Sequence, residues 1–263
     1  MFSTRTLSSV AVAGLTTLSA LSAQAELAEF YIGIDARTEG FGSYADNPNE
    51  NRLTLLYAHG NHYHSIGSYT YTGDAADPDV LDTNGNNRLP ETYTLQAPLE
   101  LTPGTGAFAG LLTSNPQPGV HYSDLEMRSV HTLDGDPDDV EGLFGSSSGR
   151  WDDAFDAAHI HLEVVSLTPG LNLSTTSPLA TYGIGDDVHV GDGDEGFSFT
   201  PVFWTDASAT PGVYTAELRL VDEHGVYGDS GRFYIDYQVV PEPGSLALLA
   251  VGGLAMLRRR RRR

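Results

Sequence analysis

The sequence predicts an all-β protein, an antiparallel β-sandwich of Ig-like or jelly-roll-like type, and three observations carry that prediction. Glycine and proline, 29 and 14 of 263 residues, interrupt the central part of the chain at short intervals. No stretch there keeps the 3.6-residue apolar period of an amphipathic helix. Several short runs instead alternate apolar and polar residues with a period of two, the pattern of a sheet with one wet face. Many such runs between turns point to two packed sheets.

In order, FYIGIDA (30–36), RLTLLYA (52–58), ETYTLQA (91–97), HIHLEVV (159–165), GVYTAELRLV (212–221) and RFYIDYQVV (232–240) read as strands. HYHSIGSYTYT, from His62, is taken as extended as well. In 212–221, Tyr214, Ala216, Leu218 and Leu220 face one way and Thr215, Glu217 and Arg219 the other. Phe233, Ile235, Tyr237 and Val239 form the apolar set of the last run. The turn-rich stretches 73–90, 134–153 and 183–196 read as loops, with a short helix expected at 151–158. Residues 26–240 are long enough for one β-sandwich domain, and a split near 116–119 is the alternative.

Both ends read as addresses. Residues 1–25 carry Arg5, an apolar run and Ala23-Gln24-Ala25, the three parts of a signal peptide, with its helix cleaved before Glu26. Residues 241–263 carry Pro241-Glu242-Pro243, an apolar run from Ser245 to Leu257, and six arginines. That run, a hydrophobic helix, is shorter than the roughly 20 residues that span a bilayer, and the arginines favour the cytoplasmic side. Together these features resemble the PEP-CTERM sorting signal. The resemblance implies transient membrane association through the tail and removal of the tail by an exosortase-type sorting protease. The protein would then pass to the bacterial surface or its exopolysaccharide, secreted or held in the extracellular matrix.

Charge narrows the function. The formal net charge is -21 and the isoelectric point near 4.5. Without the two ends, 7 basic residues stand against 34 acidic ones. So acidic a chain lacks the basic patches that nucleic acid requires. There is no cysteine, so disulfides and thiolate zinc sites are excluded together. A transition metal would have to use His, Asp or Glu.

Histidines supply the candidate site. YAHGNHYHSIG holds His59, His62 and His64, and HIHLEVV holds His159 and His161, with Glu163 on their face. Side chains two apart on a strand share a face, so each His-x-His pair points one way. If the two pairs lie on neighbouring strands, several imidazoles surround one ion, and zinc accepts three or four such ligands plus a carboxylate or water. The bland alternative is a pair of solvated faces with imidazoles bonded to carbonyls and water. His121 and His131 are further candidates; His189 lies in an acidic loop, and His224 reads as a hairpin-turn residue.

The segments 30–73 and 199–239, above all NPNENRLTLLYAH and HYHSIG, resemble a family of PEP-CTERM proteins repressed by the zinc-uptake regulator. That resemblance implies an exported zinc-binding protein, made for scavenging when zinc is scarce, with His62 and His64 first among its ligands, then His59, His159 and His161. Acidic loops at 77–91 and 134–142 offer oxygen donors for calcium, although neither fits the twelve-residue EF-hand pattern.

Two other functions fit the sequence. One is a structural protein of the exopolysaccharide matrix without a metal role. The other is a metal-dependent enzyme of unknown reaction, although the cupin pattern fails because Gly67 and Ser68 stand where its acid belongs, and no Gly-x-Ser-x-Gly elbow occurs.

Overall fold

The computed structural model describes residues 28–59, 61–133, 147–151 and 155–241. The signal peptide, the sorting helix and the acidic loop 134–142 lie outside the described residues, apart from Pro241. Over the described residues the chain is mostly β, with only single 3-10 turns of helix. It runs through β1 (Phe30–Ile34), β2 (Leu53–His59), β3 (His62–Ile66), β4 (Thr70–Asp74), β5 (Asp77–Leu81) and β6 (Arg88–Leu89). Next come β7 (Leu99–Glu100), β8 (Thr102–Pro103), β9 (Leu111–Thr113), β10 (Met127–Ser129), β11 (His159–Leu167) and β12 (Asn172–Ser174). The last six are β13 (Thr181–Tyr182), β14 (Asp187–Asp192), β15 (Ser198–Phe199), β16 (Val202–Asp206), β17 (Gly212–Asp222) and β18 (Phe233–Val239).

These strands make several sheets, none of them closed. The first has the order β15-β10-β1-β2-β3, and the second β14-β11-β17-β18-β6, with β7 also on β18. The third, β13-β12-β16-β9-β8, and the hairpin β4-β5 complete the set. Pairing is largely antiparallel, as expected. The exceptions are β1 with β10 and β18 with β6 and β7, which run parallel. No local pattern announced those pairs, because they join segments far apart in sequence.

Alternation explains the second sheet. Ala216, Leu218, Leu220, Phe233, Ile235 and Tyr237 are fully buried, as are Ile160, Leu162 and Val164 of β11. Each of the Leu, Ile, Val and Phe side chains among them contributes about 1.5–3 kcal/mol on removal from water. The opposite face holds Arg219, Glu217, Tyr234 and the histidines of β11. In β1, all five residues are buried, so both of its faces are covered. Trp151, Phe155 and Phe203 join the same apolar cluster.

Two expectations need correction. ETYTLQA is not a strand: Thr92–Thr94 forms a 3-10 turn, and Leu95 closes it in the left-handed region with φ 56°. At 151–158, residues 155–158 turn rather than wind into a helix, and 152–154 lie outside the described residues. The stretches read as loops at 73–90 and 183–196 also contain β5 and β14.

Candidate metal centre

The two His-x-His pairs do not meet on neighbouring strands. β3 belongs to the first sheet and β11 to the second, and each pair builds its own cluster.

The first cluster sits on the β2–β3 hairpin. His59 lies directly across from His62, and Tyr57 across from His64. Opposite residues share a face, so the three histidines converge, with ligand atoms within 4.8 Å of one another. His62 Nε2 and His64 Nε2 are 2.8 Å apart. On its other side, His64 Nδ1 lies 2.9 and 3.0 Å from the two Glu91 oxygens. A carboxylate accepts, so this nitrogen carries the proton and Nε2 a lone pair. Glu91 is 2 % exposed and also accepts hydrogen bonds from the Tyr93 and Tyr122 hydroxyls at 2.8 and 3.0 Å. Burial, then the negative charge of Glu91, pushes the Tyr122 phenol well up; Tyr93 rises to about 12, burial being the larger cause. Both therefore stay protonated donors to Glu91. Tyr122 stacks on Tyr57 at 4.6 Å, which fixes the floor under His64. His62 Nδ1 faces the Asn61 side-chain oxygen at 3.0 Å. Desolvation, then the neighbouring charges of His64 and His59, lowers the His62 pKa, favouring the neutral imidazole that can act as a ligand.

The second cluster lies on the wet face of β11. His159 Nδ1 is 2.5 Å from Asp192 Oδ1, and His161 Nδ1 is 2.6 Å from Asp187 Oδ1. Both ligand candidates of β11 thus have partners on β14. A register shift between Ile160 and His161 puts His189 opposite His161 and leaves Asp192 opposite His159. Through that shift Asp187, His189 and Asp192 all come to the wet side, although strict alternation would have turned Asp192 inward. Gly191 fills the bend, where a Cβ would lie 2.5 Å from the Phe197 ring. His189 stacks on His159 at 4.4 Å, and His224 stacks on it at 5.2 Å.

Glu223 and His224 reach the cluster from the turn after β17. Buried Asp222 holds that turn, accepting from the backbone N–H groups of His159, His224, Val226 and Tyr227. Desolvation raises its pKa, but these four donors outweigh it and the net shift is downward. Glu163 shares the face of His159 and His161, yet its carboxylate accepts from Arg219 Nε at 2.6 Å, apart from the converging groups.

Glu91, Asp187, Asp192 and Glu223 were not visible as partners in the sequence, since each comes from a segment distant in the chain. His121 is exposed beside Glu29, and the His131 ring packs at a tilt against Phe155. In the acidic stretch 77–91, Asp82 is clasped by Arg232, and buried Asn87 bonds Ser68 and the Arg232 carbonyl. These side chains hold the fold together.

Residues 239–263 match the PEP-CTERM protein-sorting motif. The chain therefore carries a sorting signal of the kind recognised by exosortase, which marks an exported, surface-directed protein. Among the described residues no helix is long and apolar enough to cross a membrane. No curated protein and no solved structure matches the chain.

Proposed function

We propose that this exported protein binds zinc, or a similar divalent cation, through His59, His62 and His64 of the β2–β3 hairpin. The observation that carries the reading is the 2.8 Å approach of two Nε2 atoms whose Nδ1 atoms face acceptors. A neutral ring with its proton on Nε2 closes that gap as an ordinary N–H···N hydrogen bond; with both Nδ1 atoms protonated toward their acceptors, the two lone pairs face each other and a metal ion joins them. His59 completes a set of three imidazoles within 4.8 Å, and buried Glu91 is the carboxylate that orients a ligating imidazole. Ligating nitrogens around tetrahedral zinc stand about 3.3 Å apart, a small rotation from the present geometry.

The proposal extends to scavenging zinc at the cell surface, which the sequence resemblance of 30–73 and 199–239 implies, while the matched sorting motif covers only 239–263. We also read the first two sheets as the layers of a β-sandwich, since the apolar cluster draws on both.

The test is elemental analysis of the purified protein after chelation and dialysis against zinc. His62→Ala with His64→Ala is expected to hold one zinc fewer per chain than the parent. Equal zinc in the two removes the reading. A purely structural matrix role is the second reading, favoured by the sorting motif alone. It predicts a surface phenotype unchanged by zinc supply and by that double substitution.

A further inference from the structure

We infer that the wet face of the second sheet forms a separate metal site, with His159 Nε2, His161 Nε2 and Glu223 as its ligands. It shares no residue with the hairpin cluster and does not depend on it.

The geometry carries the inference. Nδ1 of His159 and of His161 each faces a carboxylate of β14, Asp192 and Asp187, at 2.5 and 2.6 Å. Both rings therefore turn Nε2 toward one point, where Glu223 Oε2 lies 3.4 and 3.5 Å away. The three ligand atoms lie within 4.8 Å of one another and enclose a space for a cation. His161 Nε2 is buried and makes no hydrogen bond, so a cation beside it and Glu223 would give it a partner. The spacing matches the edge of a coordination tetrahedron, about 3.3–3.5 Å for ligand distances near 2.0–2.1 Å.

The arrangement is also braced as metal sites are. A carboxylate behind each ligating imidazole fixes its tautomer and raises its basicity. His159 is clamped between the His189 and His224 rings. His224 Nδ1 in turn lies 3.1 Å from the Ala157 carbonyl oxygen, which holds that ring in place. Asp222 pins the start of the turn that presents Glu223.

The chemistry differs from that of the hairpin. Two imidazoles and one carboxylate leave a fourth position for solvent, as three imidazoles do, but they bring one negative charge to the cation where the hairpin imidazoles bring none. Glu223 is 65 % exposed, so one wall of the site faces solvent. Such a site suits a zinc-class cation that is taken up and given off.

The test starts from protein already carrying His62→Ala and His64→Ala, titrated with zinc and then with cobalt as a spectroscopic stand-in. One zinc per chain is expected to remain, with a cobalt spectrum of four- or five-coordinate type. Adding Glu223→Gln should weaken zinc binding at least tenfold, and His159→Ala with His161→Ala should abolish it. Asp187→Asn or Asp192→Asn should weaken it about 10–100-fold. Nitrogen-15 spectra of the histidine rings should lose the Nδ1–H tautomer preference in those two variants. Glu223→Gln alters one exposed side chain, so its folding is secure.

Loss of all zinc in the starting background overturns the proposal, even where the parent binds one ion at the hairpin. Retained zinc that ignores Glu223→Gln overturns the ligand set. Imidazolium signals for both rings at neutral pH, with no metal bound, reduce the cluster to ion pairs. If the starting background binds as much zinc as the parent, the hairpin reading fails and this site stands.

Discussion

Three histidines, His64, His159 and His161, each present Nδ1 to a carboxylate and Nε2 to the cluster. In the proposed hairpin site the deciding residue is therefore Glu91, which orients His64 without being one of the three ligands. Glu91→Gln keeps the shape but replaces an anion with a neutral amide, and zinc affinity at the hairpin is expected to fall about 10–100-fold, read by competition with a chromogenic chelator. A second residue-scale prediction concerns Asp35, which is fully buried and clasped by Arg150 through Nε at 2.8 Å. The Arg150 guanidinium also lies over the Trp151 ring at 4.4 Å. Arg150→Ala leaves that carboxylate buried without its cation, and unfolding in urea should show a loss of about 3–5 kcal/mol. Unchanged stability would mean that water or Asn47 compensates.

At the scale of elements, the central strands β11, β17 and β18 hold the second sheet through their alternating inward faces. Leu218→Ala, in a fully buried position, should cost about 2–5 kcal/mol, measured by thermal or chemical unfolding. Those strands were legible in the sequence because their period of two is long and clean. β14 was not, since DVHVGDGDEG is dense in turn residues and its register shift breaks the alternation at Asp192. ETYTLQA was misread for a different reason. Its Thr and Tyr residues favour strands, yet Glu91 is drawn inward by His64, Tyr93 and Tyr122, and the backbone must turn to follow. The His-x-His faces were legible from spacing alone. Their carboxylate partners were not, because Glu91 stands 27 residues from His64 and Asp192 33 residues from His159.

At the scale of the whole molecule, charge governs the response to pH and salt. A net charge of -21 makes the folded chain repel itself at neutral pH, so added salt should raise the melting temperature. On acidification toward the isoelectric point near 4.5 the repulsion fades. Below that, a second effect takes over. Asp82 is lowered by its Arg232 hydrogen bonds, Glu126 by Arg128, and Asp222 by backbone donors that outweigh its desolvation. A carboxylate with a depressed folded pKa contributes fully above its unfolded value, 3.8 for Asp and 4.5 for Glu. That contribution disappears as pH falls through the folded value. Calorimetry at low salt should therefore find maximal stability at about pH 5, with a steep fall below about pH 4. A melting temperature that kept rising below pH 4 would contradict this assignment.

The parallel pairing of β1 with β10 has a consequence for the order of assembly. Phe30 must wait for Met127, and β10 in turn for Phe199, before the first sheet acquires all its neighbours. Loops of that length close slowly and gain nothing until they close. While the leading half crosses a membrane, the first sheet still lacks β15 and the second lacks β11, β14, β17 and β18, so neither sheet is complete until the trailing half has followed.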